Sequence, residues 1–107
     1  MSTRPPPKKS LGQHFLHDRG YIERIVQAVD LEPGDQLVEI GPGQGAITLP
    51  LLRRHGALTV IEFDRDLVGP LATMAAGVGE LSIVHRDVLQ VDFTALAAGA
   101  PIRLVGN

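Results

Sequence analysis

The sequence predicts an α/β protein organised around a doubly wound parallel sheet. Short apolar segments alternate with amphipathic, helix-like segments over most of the chain. The segment 57–63 is apolar on both faces, as expected of a parallel strand that helices cover on both sides. A glycine-rich turn at 41–46 separates an apolar segment from a helical pattern. Together these features imply strand–helix–strand units with right-handed crossovers.

The composition excludes several classes of function. The 107 residues suffice for one domain, and 44% hydrophobic with 21% charged residues predicts a globular rather than a disordered chain. Aromatic residues make up only 4%, which argues against a stacking platform for single-stranded nucleic acid. The chain has no cysteine, which excludes disulfides and thiolate zinc sites. Since it also has no apolar leader or long apolar run, we expect a cytoplasmic protein.

The N-terminal residues divide into two segments. Residues 1–9 form a basic, proline-rich arm that either contacts RNA phosphates or is simply solvated. Residues 10–18 combine apolar and polar side chains, and we expect them to pack on the domain while presenting His14. His14 and His17 have a spacing that a metal pair can use on a helix, but no third ligand is evident. A polar surface is therefore expected there, with no metal site.

In the first half of the domain, the sequence predicts one helix before a strand and one helix after it. Asp18 is suited to cap a helix over 19–29. The apolar face of that helix comprises Tyr21, Ile22, Ile25, Val26 and Val29. A strand over 37–40 precedes the glycine-rich turn, and a helix runs from residue 46 to about Arg54. Gly56 then ends this helix in the left-handed conformation that glycine favours.

The second half continues the alternation. A strand over 57–63 is followed by a helix that begins at 64–66, in which Gly69-Pro70 should mark the first turn or disturb it. The remaining segments are a strand at 81–84, a loop and short helix within 88–99, and a strand at 102–105. The last of these strands is expected beside the first, which is the central strand of the sheet.

Polar residues or glycine stand at the carboxyl ends of the four predicted strands. They are Gly41, Glu62, Asp87 and Asn107. Ligands bind outside the carboxyl ends of the strands in an open parallel sheet, so these positions should line one crevice. Glu62 suits the hydroxyls of a ribose, Asp87 the exocyclic amine of an adenine, and Asn107 the amine of a target base. An acid after a strand can also be only a helix cap.

The glycine-rich turn is compatible with two cofactors. Residues 41–46 fit Gly-x-Gly-x-x-Ala, the dinucleotide fingerprint, in which Gly41 and Gly43 permit a tight turn and a close approach. The segment also fits Glu-x-Gly-x-Gly-x-Gly from Glu39, which resembles the first motif of S-adenosylmethionine-dependent methyltransferases. From this turn alone, an NAD-dependent oxidoreductase and a methyltransferase both remain open.

Four segments, in order along the chain, carry a wider resemblance. They are 9–16 (Lys-Ser-Leu-Gly-Gln-His-Phe-Leu), 38–43 (Val-Glu-Ile-Gly-Pro-Gly), 60–67 (Val-Ile-Glu-Phe-Asp-Arg-Asp-Leu) and 105–107 (Val-Gly-Asn). Over residues 8–107 the chain resembles the small-subunit ribosomal RNA adenine dimethyltransferase family. The resemblance implies a Rossmann-like sheet of the class I methyltransferase type, S-adenosyl-L-methionine as cofactor, and transfer of methyl groups to adenines of small-subunit ribosomal RNA.

The same resemblance implies a set of site residues. The cofactor-contacting positions are His14, Leu16, Gly41, Gly43, Glu62, Asp87 and Asn107, and Asn107 also has the catalytic role. The family usually has Asn where this chain has His14. Its Asn-Leu-Pro-Tyr motif is matched only at Asn107, so the aromatic residue that stacks on the target adenine has no counterpart here.

The resemblance also predicts how the chain is divided. Residues 1–9 are the arm, and 10–107 are the N-terminal part of the cofactor-binding domain, cut after the fourth strand, with the family's C-terminal RNA-binding domain absent. We expect such a piece to be inactive alone and to associate with itself through the exposed edge of its last strand. A non-catalytic RNA-binding or ribosome-assembly module is the alternative outside the enzymes.

Overall fold

The computed structural model describes residues 18–106, which form one α/β unit. The segments 1–17 and 107 lie outside the described residues, and with them the arm and the segment that contains His14 and Leu16. The helices are α1 (Arg19–Ala28), α2 (Thr48–His55), α3 (Arg65–Ala75) and α4 (Phe93–Ala97), with a 3-10 turn at Val88–Gln90. The strands are β1 (Gln36–Ile40), β2 (Ala57–Glu62), β3 (Glu80–His85) and β4 (Ile102–Gly106).

The four strands form one parallel sheet in the order β3-β2-β1-β4. Ile40 pairs with Ile61 across β1 and β2, and Glu62 pairs with His85 across β2 and β3. On the other side of β1, Val38 pairs with Leu104 of β4. The prediction of a parallel α/β sheet, with the fourth strand beside the first, is confirmed. All four carboxyl ends consequently lie at one edge of the sheet.

Three helices cover the first face of the sheet. Leu37 of β1 and the buried residues Leu58 and Val60 of β2 belong to a core that includes residues of α1, α2 and α3. Leu51 and Leu52 of α2 are fully buried in it. Because side chains alternate along a strand, Glu39 and Glu62 point to this same face. The core therefore lies directly under the two acidic side chains nearest the glycine turn.

The second face is covered unevenly. Val38 and Ile61 point to it and are buried, and the amide of Gln36 on the same face donates a hydrogen bond to the carbonyl oxygen of Ala97 in α4, at 2.6 Å. Further towards the edge, Leu104 of β4 is 54% exposed. Within residues 18–106, this face is thus closed near β1 and open over β4.

Aspartates precede α1, α3 and α4, and their side chains fix where these three helices start, whereas α2 has no side-chain cap. Asp18 accepts a hydrogen bond from the backbone N–H of Tyr21, and Asp64 accepts one from Asp66. These bonds satisfy N–H groups that have no partner within a helix. Gly56 ends α2 with φ of 83°, the left-handed conformation predicted for it. The predicted cap at Asp18 is confirmed as well.

Some element boundaries and exposures differ from the predictions. The helix after the glycine turn begins at Thr48 rather than residue 46, because 43–47 form turns in which Gly45 has φ of 89°. The second strand ends at Glu62, and Phe63 is 70% exposed. Tyr21, predicted on the apolar face of α1, is 37% exposed. The burial of a side chain depends on tertiary neighbours that periodicity does not identify.

The prediction that Gly69-Pro70 marks or disturbs the first turn of its helix is wrong. α3 continues from Arg65 to Ala75 with Pro70 inside it. Pro70 has no N–H to donate, so one backbone hydrogen bond is lost. Leu71 and Ala75 are buried, at 1% and 4% exposure, and this burial stabilises the helix beyond the proline.

The helices of residues 18–106 are too short or too polar to cross a lipid bilayer.

Candidate functional site

The glycine turn connects the end of β1 to α2 at the carboxyl edge of the sheet. Gly41 donates its N–H to the carbonyl oxygen of Ile61 at 2.9 Å, and Gly45 donates to Pro42 at 2.9 Å. Gly41, Gly43 and Gly45 have φ of 66°, 56° and 89°. Side chains with a Cβ rarely adopt these angles, so the turn requires glycine at each position. We call residues 41–45 the glycine loop.

The three glycines of this loop face different surroundings. A Cβ placed on Gly41 or Gly43 would meet no protein atom within 4 Å. A Cβ on Gly45 would collide with the terminal methyl of Met74 and lie 3.5 Å from Leu71. The loop therefore has an inner side packed on α3 and an outer side that is open to an approaching ligand.

Glu62 connects the glycine loop to the end of β2. It is 7% exposed. Its Oε1 accepts a hydrogen bond from the N–H of Gly43 at 3.3 Å, and its Oε2 accepts one from Asp64 at 2.9 Å. A carboxylate has about four lone-pair sites, so two acceptor directions remain beyond these bonds. The side chain is held in a fixed orientation with capacity for two further donors.

Glu39 lies under the glycine loop, on the inner side. It is 3% exposed, and its Oε1 accepts a hydrogen bond from the hydroxyl of Thr48 at 2.6 Å. Burial raises the pKa of Glu39 to about 7; the Thr48 hydroxyl opposes that rise and the nearby charge of Glu62 adds to it. Sequence reasoning found Glu39 only as the first letter of a motif. Its burial against α2 could not be read from that pattern.

Asp87 follows β3 at the same edge of the sheet. The N–H of Arg86 donates to the carbonyl oxygen of Glu62 at 3.1 Å, which extends the β2–β3 pairing up to this position. The carboxylate of Asp87 accepts from the N–H of Leu89 at 2.9 Å and so begins the 3-10 turn. The structure thus brings Gly41, Glu62 and Asp87 to the ends of three adjacent strands, as predicted.

Two exposed apolar side chains flank these acids, and sequence reasoning did not select them. Phe63 directly follows Glu62 and is 70% exposed, and Leu89 lies two residues after Asp87 and is 89% exposed. The Nε2 atom of His85 lies 3.1 Å from the carbonyl oxygen of Phe63. Large apolar groups exposed at a ligand-binding edge suit a planar base. Their position one or two residues after strand-end acids was the available signal.

Three of the predicted site residues lie outside the described residues. They are His14, Leu16 and Asn107. The contacts proposed for these three residues therefore rest on the sequence alone. The remaining four, Gly41, Gly43, Glu62 and Asp87, lie at the carboxyl edge of the sheet.

Comparison with known proteins agrees with this geometry. A family model described as ribosomal RNA adenine dimethylase matches residues 6–107. The ribosomal RNA small subunit methyltransferase A of Xanthomonas euvesicatoria pv. vesicatoria (strain 85-10) is 78% identical over 102 residues. The protein of the same name from Xanthomonas campestris pv. campestris (strain B100) is 76% identical over 102 residues. Each match covers 95% of this chain but only 39% of the relative.

A solved structure is similar over the same region. The crystal structure of the 23S rRNA methyltransferase ErmE superposes with a TM-score of 0.70 and 30% sequence identity. The match covers 83% of this chain and 35% of that one. The fold is therefore Rossmann-like, as predicted. The family model matches nearly the whole length of this chain. The chain therefore belongs to the ribosomal RNA adenine dimethylase family.

Proposed function

We propose that this chain is the cofactor-binding part of an enzyme that transfers methyl groups from S-adenosyl-L-methionine to the exocyclic amine of adenines in small-subunit ribosomal RNA. The observation that carries the proposal is Glu62. Its buried carboxylate is fixed by two backbone N–H groups beside the open side of the glycine loop, with two acceptor directions remaining. The names of the relatives, ribosomal RNA methyltransferases, agree with this assignment.

The described residues fit such a cofactor. Gly41 and Gly43 leave open space where a Cβ would stand, so a ligand can approach the backbone closely. Glu62 accepts hydrogen bonds from the two ribose hydroxyls, and Asp87 accepts one from the adenine amine. Phe63 and Leu89 provide apolar contacts for the faces of the base.

The chemistry of transfer requires little of the protein beyond positioning. The cofactor supplies a methyl group on a sulfonium, which is already activated for transfer. By the family resemblance, Asn107 is the catalytic residue and accepts a hydrogen bond from the target amine, which orients its lone pair towards the methyl group. By the same resemblance, His14 and Leu16 contact the cofactor. No side-chain nucleophile is involved in this mechanism.

Calorimetric titration of the chain with S-adenosylmethionine and with NADH tests the cofactor assignment. We expect saturable binding of S-adenosylmethionine and none of NADH. The reverse result would favour the oxidoreductase that the glycine loop also permits. Binding of RNA without either cofactor would instead favour a non-catalytic ribosome-assembly module.

The division of the chain forms a second part of the proposal. Residues 10–107 are the N-terminal part of the cofactor-binding domain, preceded by a basic arm at 1–9. The chain spans 39% of the length of the curated relatives. By the family resemblance, the rest of that length completes this domain and adds an RNA-binding domain. We expect the chain alone to bind the cofactor and to transfer no methyl group. Labelled S-adenosylmethionine with unmodified small subunits tests this, and label in the RNA would refute it.

Self-association is the third part. β4 is an edge strand of the described sheet, and Leu104 on it is 54% exposed. Edge strands with exposed apolar groups pair with other chains. Sedimentation velocity should therefore show dimers or larger species that grow with concentration, and Leu104→Lys should reduce them. A monomer at every concentration would contradict self-association.

A substrate in ribosomal RNA implies the compartment that contains ribosomes. We therefore propose a cytoplasmic protein.

A further inference from the structure

A groove between α1 and α2 lies outside the proposed cofactor site. It has a volume of about 670 Å³. Its apolar floor comprises Ile22, Val26 and Pro50, and three arginines surround it, Arg19, Arg53 and Arg54. We call it the arginine groove.

The three arginines have no carboxylate counter-ion among residues 18–106. Among residues 18–106, the ion pair that forms joins Arg103 to Asp35, and no carboxylate lies within 4.0 Å of a groove arginine. The one acid at the groove is Glu23, whose Oε1 accepts a hydrogen bond from the side chain of Gln27 at 3.3 Å. Three guanidinium groups against one carboxylate make this surface positive, although the whole chain has a net charge of −2.

The charge of one of these arginines, Arg54, acts on the next residue, His55. Burial lowers the pKa of His55, and the charge of Arg54 lowers it further. The Nε2 atom of His55 is itself buried without a hydrogen-bond partner among the described residues. The pKa of His55 should therefore rise when an anion neutralises Arg54.

We propose that the arginine groove binds the sugar–phosphate backbone of the RNA substrate. The proposal rests on the proposed function, because it takes RNA as the substrate. Guanidinium groups form two parallel hydrogen bonds with a phosphate, and the apolar floor accommodates the carbon skeleton of a ribose. Arg53 and Arg54 lie in the last turn of α2, whereas Thr48 at its first turn adjoins the glycine loop. At 1.5 Å per residue, Arg54 is about 9 Å along the helix from Thr48. Contacts in the groove therefore hold the RNA rather than the reacting base.

Binding of a short, fluorescein-labelled RNA hairpin by the 107-residue chain, measured by anisotropy over a range of salt concentrations, tests the proposal. Replacing Arg19, Arg53 and Arg54 together by Gln should weaken binding at low salt about tenfold or more. It should also reduce the slope of log Kd against log salt by about 2–3, since each lost phosphate contact contributes roughly 0.7–0.9. Arg54→Gln alone should reduce the slope by about 1.

Arg24→Gln is the matched control. Arg24 is an exposed arginine of α1 outside the groove, so its removal changes the net charge equally and should leave the slope unchanged. An equal reduction of the salt slope by Arg24→Gln and by Arg54→Gln would overturn the proposal. Displacement of the RNA by poly-glutamate at equal charge would also overturn it, because the groove would then be a site for acidic peptides.

An NMR titration of His55 supplies a second readout. RNA in the groove should raise the pKa of His55 towards its ordinary value, and Arg54→Gln should raise it without RNA. No change on RNA binding would contradict the proposal. Calorimetry with S-adenosylmethionine separates this failure from failure of the proposed function. The groove variants should bind the cofactor like the parent, whereas a parent chain that binds no cofactor would refute the function whatever the groove does.

Discussion

The inner and outer sides of the glycine loop are built from the same residue type for different reasons. Gly45 on the inner side has φ of 89° and leaves the space that Met74 and Leu71 occupy. Gly43 on the outer side has φ of 56°, and no protein atom lies where its Cβ would stand. Packing against α3 requires Gly45, whereas the open space beside Gly43 leaves room for the ligand proposed above.

The two buried glutamates differ in the same way, one lying on the inner side of the loop and the other at the edge of the sheet. Glu39 accepts its hydrogen bond from the side chain of Thr48 in α2, within the packed interior. Glu62 accepts from the backbone of the glycine loop and of the β2–α3 turn, at the edge. We therefore expect substitutions on the inner side to change stability, and substitutions on the outer side to change cofactor affinity.

The largest expected effect is that of Gly45→Val. A side chain there combines the strain of a positive φ with overpacking against Met74, and should lower the free energy of unfolding by roughly 2–5 kcal/mol. Urea denaturation measures the loss. The double variant Gly45→Ala/Met74→Ala should regain the stability that overpacking removes. It should keep the loss of stability that the positive φ causes. Stability equal to the parent in Gly45→Val would show that the inner side is not packed.

The second effect concerns Glu39 and pH. With a pKa of about 7 when folded and an ordinary value of 4.5, Glu39 releases a proton on unfolding between these pH values. The free energy of unfolding should therefore fall as pH rises from 4.5 to about 7, by about 3 kcal/mol from this group. Glu39→Gln should lack this fall, so that its stability relative to the parent increases with pH.

Glu80→Gln is the control for this pH dependence. Glu80 is an exposed acid at the start of β3, so Glu80→Gln makes the same substitution outside the buried surroundings of Glu39. Parallel profiles for the parent and Glu39→Gln, measured by urea denaturation from pH 4.5 to 8, would contradict the titration of Glu39 in this range.

The third effect concerns Glu62 and the ligand. Glu62→Ala should weaken S-adenosylmethionine binding by roughly 1.5–3 kcal/mol, the cost of losing hydrogen bonds to a charged group. Calorimetry measures this loss, and circular dichroism verifies that the fold persists. Glu80→Ala removes an equal charge far from the carboxyl edge and should bind like the parent. Unchanged affinity in Glu62→Ala would exclude the ribose role.

The smallest effect on stability is expected for Gly43→Ala. Its Cβ meets no protein atom, so only the strain of the positive φ lowers the free energy of unfolding, by about 1–2 kcal/mol. Gly34→Ala is the matched control, since Gly34 has φ of 90° and similarly open surroundings but lies in the turn before β1. Both variants should lose similar stability, and only Gly43→Ala should lose cofactor affinity. Equal affinity in the two would show that no ligand approaches Gly43.

Much of the fold follows from local patterns. The run 57–63 predicts a buried parallel strand because its residues are apolar on both faces, and β2 occupies 57–62 of it. Asp18 predicts a helix start because its side chain can reach the N–H three residues on. The site acids at 62 and 87 follow from the same patterns, since they stand near the carboxyl ends of predicted strands. These features depend on neighbours in sequence, which the sequence contains in full.

Other features depend on residues distant in sequence. The helix through Pro70 persists because Leu71 and Ala75 are buried, which no pattern within that segment establishes. The exposure of Phe63 likewise depends on where β2 ends and on what packs beside it. Local propensity is a weak prediction wherever burial contributes more free energy than the local preference does.

The sequence by itself determined the elements, their parallel order and the family, because periodicity, caps and glycine positions are local and the motifs are read directly. Only the tertiary structure decided which glycine packs inward, which glutamate is buried beneath the loop, and that three arginines from two helices surround one groove. Gly45 meets Met74, and Glu39 meets Thr48, through the packing of α2 and α3 on the sheet. Arg19 and Arg54 line one groove because α1 packs beside α2. The spacing of two residues along a chain does not specify their distance after the chain has folded.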